Sequence, residues 1–232
     1  MAAVAYNEYG ICAVRLTLAS CATADAITGA KNAYVTDALE SGKFSREVIQ
    51  GGVLQADKAC ISGDQAYRII RPDRVVGGKF EFVALTGDPY LDALFAQGTW
   101  LTDSGNDLGF IEEAGVVSSF LFAEVWTENV QKDCAPDANW KPYRRSLYGI
   151  GRPQVTDTTM GKEIRKFSGS LELQPFMPPT VATVGWKGPH DDFPAGVGTQ
   201  ILAWQAAGKK TMRITFNEST IPVASVGYVA VP

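Results

Sequence analysis

The chain predicts a mainly β protein, a β-sandwich or barrel-forming subunit with one short α-helix on its flank. Three observations point to this class. Period-two alternation recurs along most of the chain. In KFEFVAL (79–85), Phe80, Phe82 and Ala84 share one face and Lys79 and Glu81 the other. Turn signals rich in Gly, Pro, Asn and Asp separate these runs. One stretch, DPYLDALFAQG (88–98), breaks into a helical period.

Residues 1–30 are small and alanine-rich without sustained alternation. They read as an N-terminal arm or lead-in with room for one strand, ahead of a β-sandwich domain over 31–232. The strand pattern begins at Tyr34. KFSREVIQ (43–50) alternates around Phe44, Arg46, Val48 and Gln50 until Gly51-Gly52 breaks it, and AYRIIRPDR follows before KFEFVAL. The helix is expected over 88–97. Asp88 caps it, Pro89 fits its first turn, and Leu91, Leu94 and Phe95 form one apolar stripe to lay on the sheet. Gly98 closes it as a residue that tolerates positive φ.

TWLTDSGNDLGF (99–110) then reads as a hairpin about an Asp-Ser-Gly-Asn turn. SSFLFAEVWTE (118–128) is apolar on both faces, as in a central strand or a subunit contact. WKPYRRSLYGIGRPQV (140–155) carries Pro142 and Pro153, which favour edges and turns. RKFSGSLELQPF (165–176) sets Phe167, Leu171 and Leu173 against Ser168, Ser170 and Glu172. TMRITFN (211–217) and VASVGYVAVP (223–232) complete the pattern.

The charge balance, 21 Lys and Arg against 25 Asp and Glu for a net −4, argues against tight binding to nucleic acid through phosphate neutralisation. No run reaches the ~20 apolar residues that span a bilayer. The first residues lack a charged region ahead of their apolar part and Glu8 interrupts them, so no signal peptide is expected and the cytosol is. Cys12, Cys21, Cys60 and Cys134 have no CxxC spacing and are expected free and partly buried. Chemistry-bearing motifs are scarce. The single histidine, His190, lies in GPHDDFP beside Asp191 and Asp192, and with no second His or paired Cys the stretch reads as a turn. GxSxG is absent. DSGND (103–107) fails as a calcium loop at Gly105 and Leu108 and reads as a polar hairpin turn. The sequon Asn217-Glu-Ser219 is idle without secretion. Neither glycine pair, 51–52 or 77–78, opens a helix to cradle phosphate. Trp100, Trp126, Trp140, Trp186 and Trp204 are read as core or interface anchors. No enzymatic activity, metal or cofactor is expected.

The order of these pieces resembles the major tail tube proteins of long-tailed, siphovirus-type bacteriophages. The matching pieces are KFEFVAL, DPYLDALFAQG, TWLTDSGNDLGF, FLFAEVWTENV, WKPYRRSLYGIGRPQV, FSGSLELQPF and GWKGPHDDFP. The resemblance covers about residues 30 to 230 and gives residues 1–30 no role. It implies a helix-flanked β-sandwich whose copies form hexameric rings, with inner strands joined into a continuous barrel and stacked rings forming a channel for DNA ejection. The partners implied are the chain itself and tail proteins such as the tape measure, tail terminator and distal tail proteins. DNA would be passing cargo, with no membrane involved. The place implied is the virion tail, assembled in the host cytoplasm.

By the same analogy, segment 40–58 is an extended hairpin arm that reaches a neighbouring subunit through Lys43, Phe44, Arg46, Val48, Gln50, Gly51 and Gly52. Strands 43–50, 79–85, 118–128 and 165–174 are the barrel candidates, and Glu81, Glu124 and Glu172 the acids expected at the lumen. Other readings are a different tail, connector or decoration β-protein, and a binding module or small β-barrel enzyme.

Overall fold

The computed structural model of the chain describes residues 6–23, 26–28, 32–50, 53–56, 67–70, 73–86, 88–96, 98–112, 120–131, 140–159, 165–175, 195–208, 210–225 and 229–230. The first seven strands are β1 (Tyr6–Thr23), β2 (Ala26–Thr28), β3 (Asn32–Thr36), β4 (Leu39–Ile49), β5 (Val53–Ala56), β6 (Tyr67–Ile70) and β7 (Arg74–Ala84). Helix α1 (Pro89–Ala96) precedes β8 (Thr99–Asp103), β9 (Asn106–Ile111), β10 (Phe120–Gln131), β11 (Tyr143–Thr159) and β12 (Lys166–Leu173). Helix α2 (Ala195–Ala206), β13 (Arg213–Glu218) and β14 (Val229–Ala230) follow.

The predicted mainly β class holds. Ten strands form one antiparallel sheet in the order β14-β3-β1-β10-β11-β12-β7-β4, with β13 beside β11 and β2 beside β1. β5–β6 and β8–β9 are separate two-stranded ribbons. The large sheet curls until β1 approaches β4: Ile11 Cδ1 lies 2.6 Å from where a Cβ on Gly42 would sit. Curling encloses one face of the sheet, and that face is the core.

Alternation decides which side chains enter it. Phe80, Phe82 and Ala84 of β7 are buried beside Phe167, Leu171 and Leu173 of β12, with Leu121, Ala123 and Val125 of β10 and Val14 and Leu16 of β1 across the curl. Rings pack together there, with Phe80 on Tyr148 at 5.5 Å and Phe95 edge-on to Phe167 at 5.0 Å. α1 fills the remaining gap with Leu91, Leu94 and Phe95, the predicted stripe, all buried. Each such side chain contributes about 1.5–3 kcal/mol.

The local chemistry of α1 is largely as read. Asp88 Oδ1 accepts the Tyr90 backbone N–H at 2.9 Å, a side-chain cap, and its Oδ2 accepts the Tyr34 hydroxyl of β3 at 2.9 Å. The role of Gly98 differs. Its φ is not positive; glycine is needed because a Cβ would meet Phe110 Cδ2 at 2.5 Å and the Ile111 carbonyl at 3.0 Å. The DSGND turn is a hairpin turn, with Ser104 (φ 53°) and Gly105 (φ 83°) between the paired Asp103 and Asn106.

Three expectations need correction. Residues 6–23 are not an arm: they form β1, which lies inside the sheet, paired with β10 on one side and β3 on the other. Its residues Ala13 to Thr17 are buried on both faces, so the run cannot alternate as a half-exposed strand does. The stretch around Pro142 and Pro153 is longer and more central than its prolines suggest: β11 is a 17-residue strand between β10 and β12, although Pro142 does lie in the bend before it. Pro153 is accommodated where the β10–β11 ladder has stopped, after Leu121 opposite Gly151. A second helix, α2, stands where only strands and turns were expected. Gly196 and Gly198 in its first turns depress helix propensity. Its end carries a clear signal, Gly208 at φ 64°.

Candidate assembly surface

β4 forms one edge of the large sheet. It pairs with β7 from Leu39 opposite Ala84 down to Ile49 opposite Arg74, and among the described residues its outer edge has no partner. β12 covers the far side of β7 only as far as Gly78. Beyond that point β4 and β7 continue as a ribbon with no third strand among the described residues, and β5 and β6 pair as a second ribbon. Two strands alone are marginal in water. Val48 (42%), Ile49 (60%) and Val75 (36%) are exposed on this ribbon.

Within the predicted arm, β4 pairs with β7, which carries KFEFVAL, and β5 pairs with β6. Lys43, Arg46, Val48 and Gln50 are exposed. Phe44 is a correction: it turns inward against Tyr148, ring centroids 4.6 Å apart, with the Arg213 guanidinium over it at 5.9 Å. It anchors the ribbon to its own core rather than reaching a neighbour. Gly51 and Gly52 lie outside the described residues, as do His190, Asp191, Asp192 and Trp186.

The face of β4, β7 and β12 turned away from the core carries two of the predicted acids. Glu81 stands opposite Lys43 and Ser170, and Glu172 opposite Lys79 and Arg152. Lys79 Nζ also reaches Glu81 Oε1 at 2.8 Å along the strand. That lysine holds the Glu81 carboxyl below the usual carboxylate range. Signs alternate from strand to strand, so this face is a lattice of opposed charges, three cations against two acids, rather than an acidic strip.

Glu124 is the second correction among the site residues. Its side chain is fully buried, and it cannot line a channel. Arg15 of β1 donates Nε to Glu124 Oε2 at 2.5 Å, and Arg145 of β11 donates Nε to Oε1 at 2.9 Å. Arg145 Nη1 reaches on to Glu218 of β13 at 2.8 Å, and Glu218 accepts the Trp126 indole N–H at 2.9 Å. Both guanidiniums lie over the Trp126 ring, at 5.5 and 5.0 Å. Burial alone would push the Glu124 carboxyl up, but the Arg145 and Arg15 charges and their hydrogen bonds outweigh it and hold it below the usual range. Two cations and two anions cancel, and the cluster ties four strands together. Sequence reasoning missed it because its bonded partners are 21 to 109 positions apart and become neighbours only through the β1–β10–β11–β13 pairing.

Among the other singled-out residues, Trp126 is buried, Trp100 packs on Tyr90 at 4.4 Å, and Trp140 and Trp204 are exposed. Cys12 is free and half-buried; burial, then the charge of Glu128, pushes its thiol pKa up. Among the described residues no three His, Cys, Asp or Glu side chains are grouped to hold a metal ion, and no helix is long and apolar enough to cross a membrane. No protein-family model matches the chain and no curated protein matches its sequence.

Proposed function

We propose that this chain is a structural subunit that assembles with copies of itself into rings, as in a siphovirus-type tail tube whose rings stack into a DNA channel. The observation that carries the reading is the ribbon. Among the described residues β4 has no partner on its outer edge, and past Gly78 the β4–β7 pair has no third strand while exposing Val48, Ile49 and Val75. An open edge with apolar residues is an aggregation liability unless a specific partner closes it. In a ring every copy supplies its neighbour's missing strand.

The outer face around Glu81 and Glu172 supports the cargo part of the reading. There each cation stands opposite a carboxylate, so a phosphate of duplex DNA approaching Lys43, Lys79 or Arg152 also meets an acid. Tape measure, terminator and distal tail proteins are the further partners of such a tube, and the virion its place.

Electron microscopy of the concentrated protein tests the proposal. Rings of uniform diameter, or stacks of them, are the expected result. A protein that stays dispersed and monomeric at every concentration and ionic strength tried overturns it.

A further inference from the structure

Acid and base are unevenly distributed along the chain. Between Lys79 and Lys132 there is no Lys, Arg or His, while nine Asp and Glu occur. The β8–β9 hairpin lies within this span. It exposes Asp103, Asp107 and Glu112 together with Leu101 (47%), Leu108 (71%) and Ile111 (52%). It is also held firmly to α1: Tyr90 donates its hydroxyl to Asp107 at 2.5 Å, and Trp100 packs on the Tyr90 ring. An apolar, acidic, pre-positioned hairpin is a poor solvent-facing element and a good docking element.

The complementary surface is at the other end of β7. An open groove of about 1150 Å³ crosses the ribbon beside Gly77 and Gly78. Arg46, Arg74, Lys79, Arg152 and Lys210 line it, against Glu47 and Glu172. The exposed Val75 is in its wall, and Val48 and Ile49 continue the same ribbon. A net −4 protein thus concentrates cations in one groove and acids on one hairpin.

We infer that the β8–β9 hairpin of one copy docks into the Arg46–Arg74 groove of another. The groove is entered at the start of β7, and α1 with the hairpin follows the end of β7, about 20 Å of strand away from Gly78 to Ala84. A contact between opposite ends joins copies head to tail. Such a contact is heterologous, so it closes into a ring or propagates as a filament. This inference rests on the self-assembly proposed above and specifies which two surfaces meet.

Charge exchange tests it. One variant carries Arg46→Glu with Arg74→Glu, the other Asp103→Lys with Glu112→Lys, and association is followed by sedimentation velocity at low salt. Each variant alone is expected to associate roughly tenfold or more weakly than wild type, because like charges then face each other. An equimolar mixture is expected to recover wild-type association, since every hairpin then finds an oppositely charged groove. Recovery also shows that both variants are folded. The milder Arg46→Gln and Asp103→Asn should each weaken association several-fold without repulsion, and added salt should weaken the wild type. Wild-type association by either charge-exchanged variant, or a mixture that stays dissociated, overturns the inference while leaving wild-type rings, and so self-assembly, standing. A wild type that never associates removes both readings.

Discussion

Arg145 and Glu124 face each other across β11 and β10 as a desolvated ion pair, Nη2 to Oε1 2.5 Å, with side-chain exposures of 2% and 0%. Glu124→Gln keeps the shape of the side chain but leaves Arg145 and Arg15 as buried cations with Glu218 the remaining acid of the cluster. Removing one member of a buried pair costs about 3–5 kcal/mol. Denaturant unfolding should show that loss as a lower midpoint. An unchanged midpoint would mean the cluster is more hydrated than its burial states.

The same pair sets a pH dependence. The folded-state carboxyl of Glu124 titrates below its unfolded value of 4.5. Its contribution is therefore complete above about pH 4.5 and is lost as pH falls through the lower folded value. The stability gap between wild type and Glu124→Gln should be constant near neutral pH and narrow in acid. Thermal melts at a series of pH values read this directly, and a gap that stays constant into strong acid contradicts it.

Leu94 joins α1 to the sheet, 4% exposed in the cluster that holds Phe82, Phe95 and Phe167. Leu94→Ala should cost about 2–5 kcal/mol, the range for a buried leucine truncation. A melt indistinguishable from wild type would place the stripe in solvent.

Gly98 links that helix to the hairpin. Alanine there places a methyl carbon against Phe110 and the Ile111 carbonyl. Overpacking of this kind costs about 1–3 kcal/mol. Because a backbone atom is one of the obstacles, the hairpin must shift rather than a side chain rotate. Gly98→Ala should lower the melting temperature and change the fluorescence of Trp100, which packs on Phe110 at 5.9 Å. Neither change would appear if the hairpin moved freely on α1.

Where one face is wet and the other dry, the sequence announces the structure: β7, β12, α1 and the Ser104-Gly105 turn are legible because each obeys a local period or a local φ requirement. β1 is hidden for the opposite reason, since both of its faces are buried and alternation vanishes. β11 is hidden by Pro153, whose cost depends on where a neighbouring strand ends, which is tertiary information. The assembly surface shows the same division. Charge and alternation mark Lys43, Glu81 and Glu172 as outward-facing, but nothing local separates Glu124 from them. Only the arrival of Arg15 and Arg145 from other strands turns that acid inward.

The outward lattice gives the last prediction. Lys43, Lys79 and Arg152 stand opposite Glu81 and Glu172 across β4, β7, β12 and β11. As long as the acids are present, a phosphate approaching a lysine also meets a carboxylate, and few counterions are released. Glu81→Lys with Glu172→Lys converts the lattice into a continuous basic band without touching the core face. Duplex DNA should then bind, with affinity falling as salt rises by about 0.9 in log–log slope per phosphate neutralised. Wild type should show little affinity under the same low-salt conditions. Fluorescence anisotropy of labelled duplex at two salt concentrations measures both. If the doubly substituted protein binds no better than wild type, alternation on this face is not what keeps DNA off it.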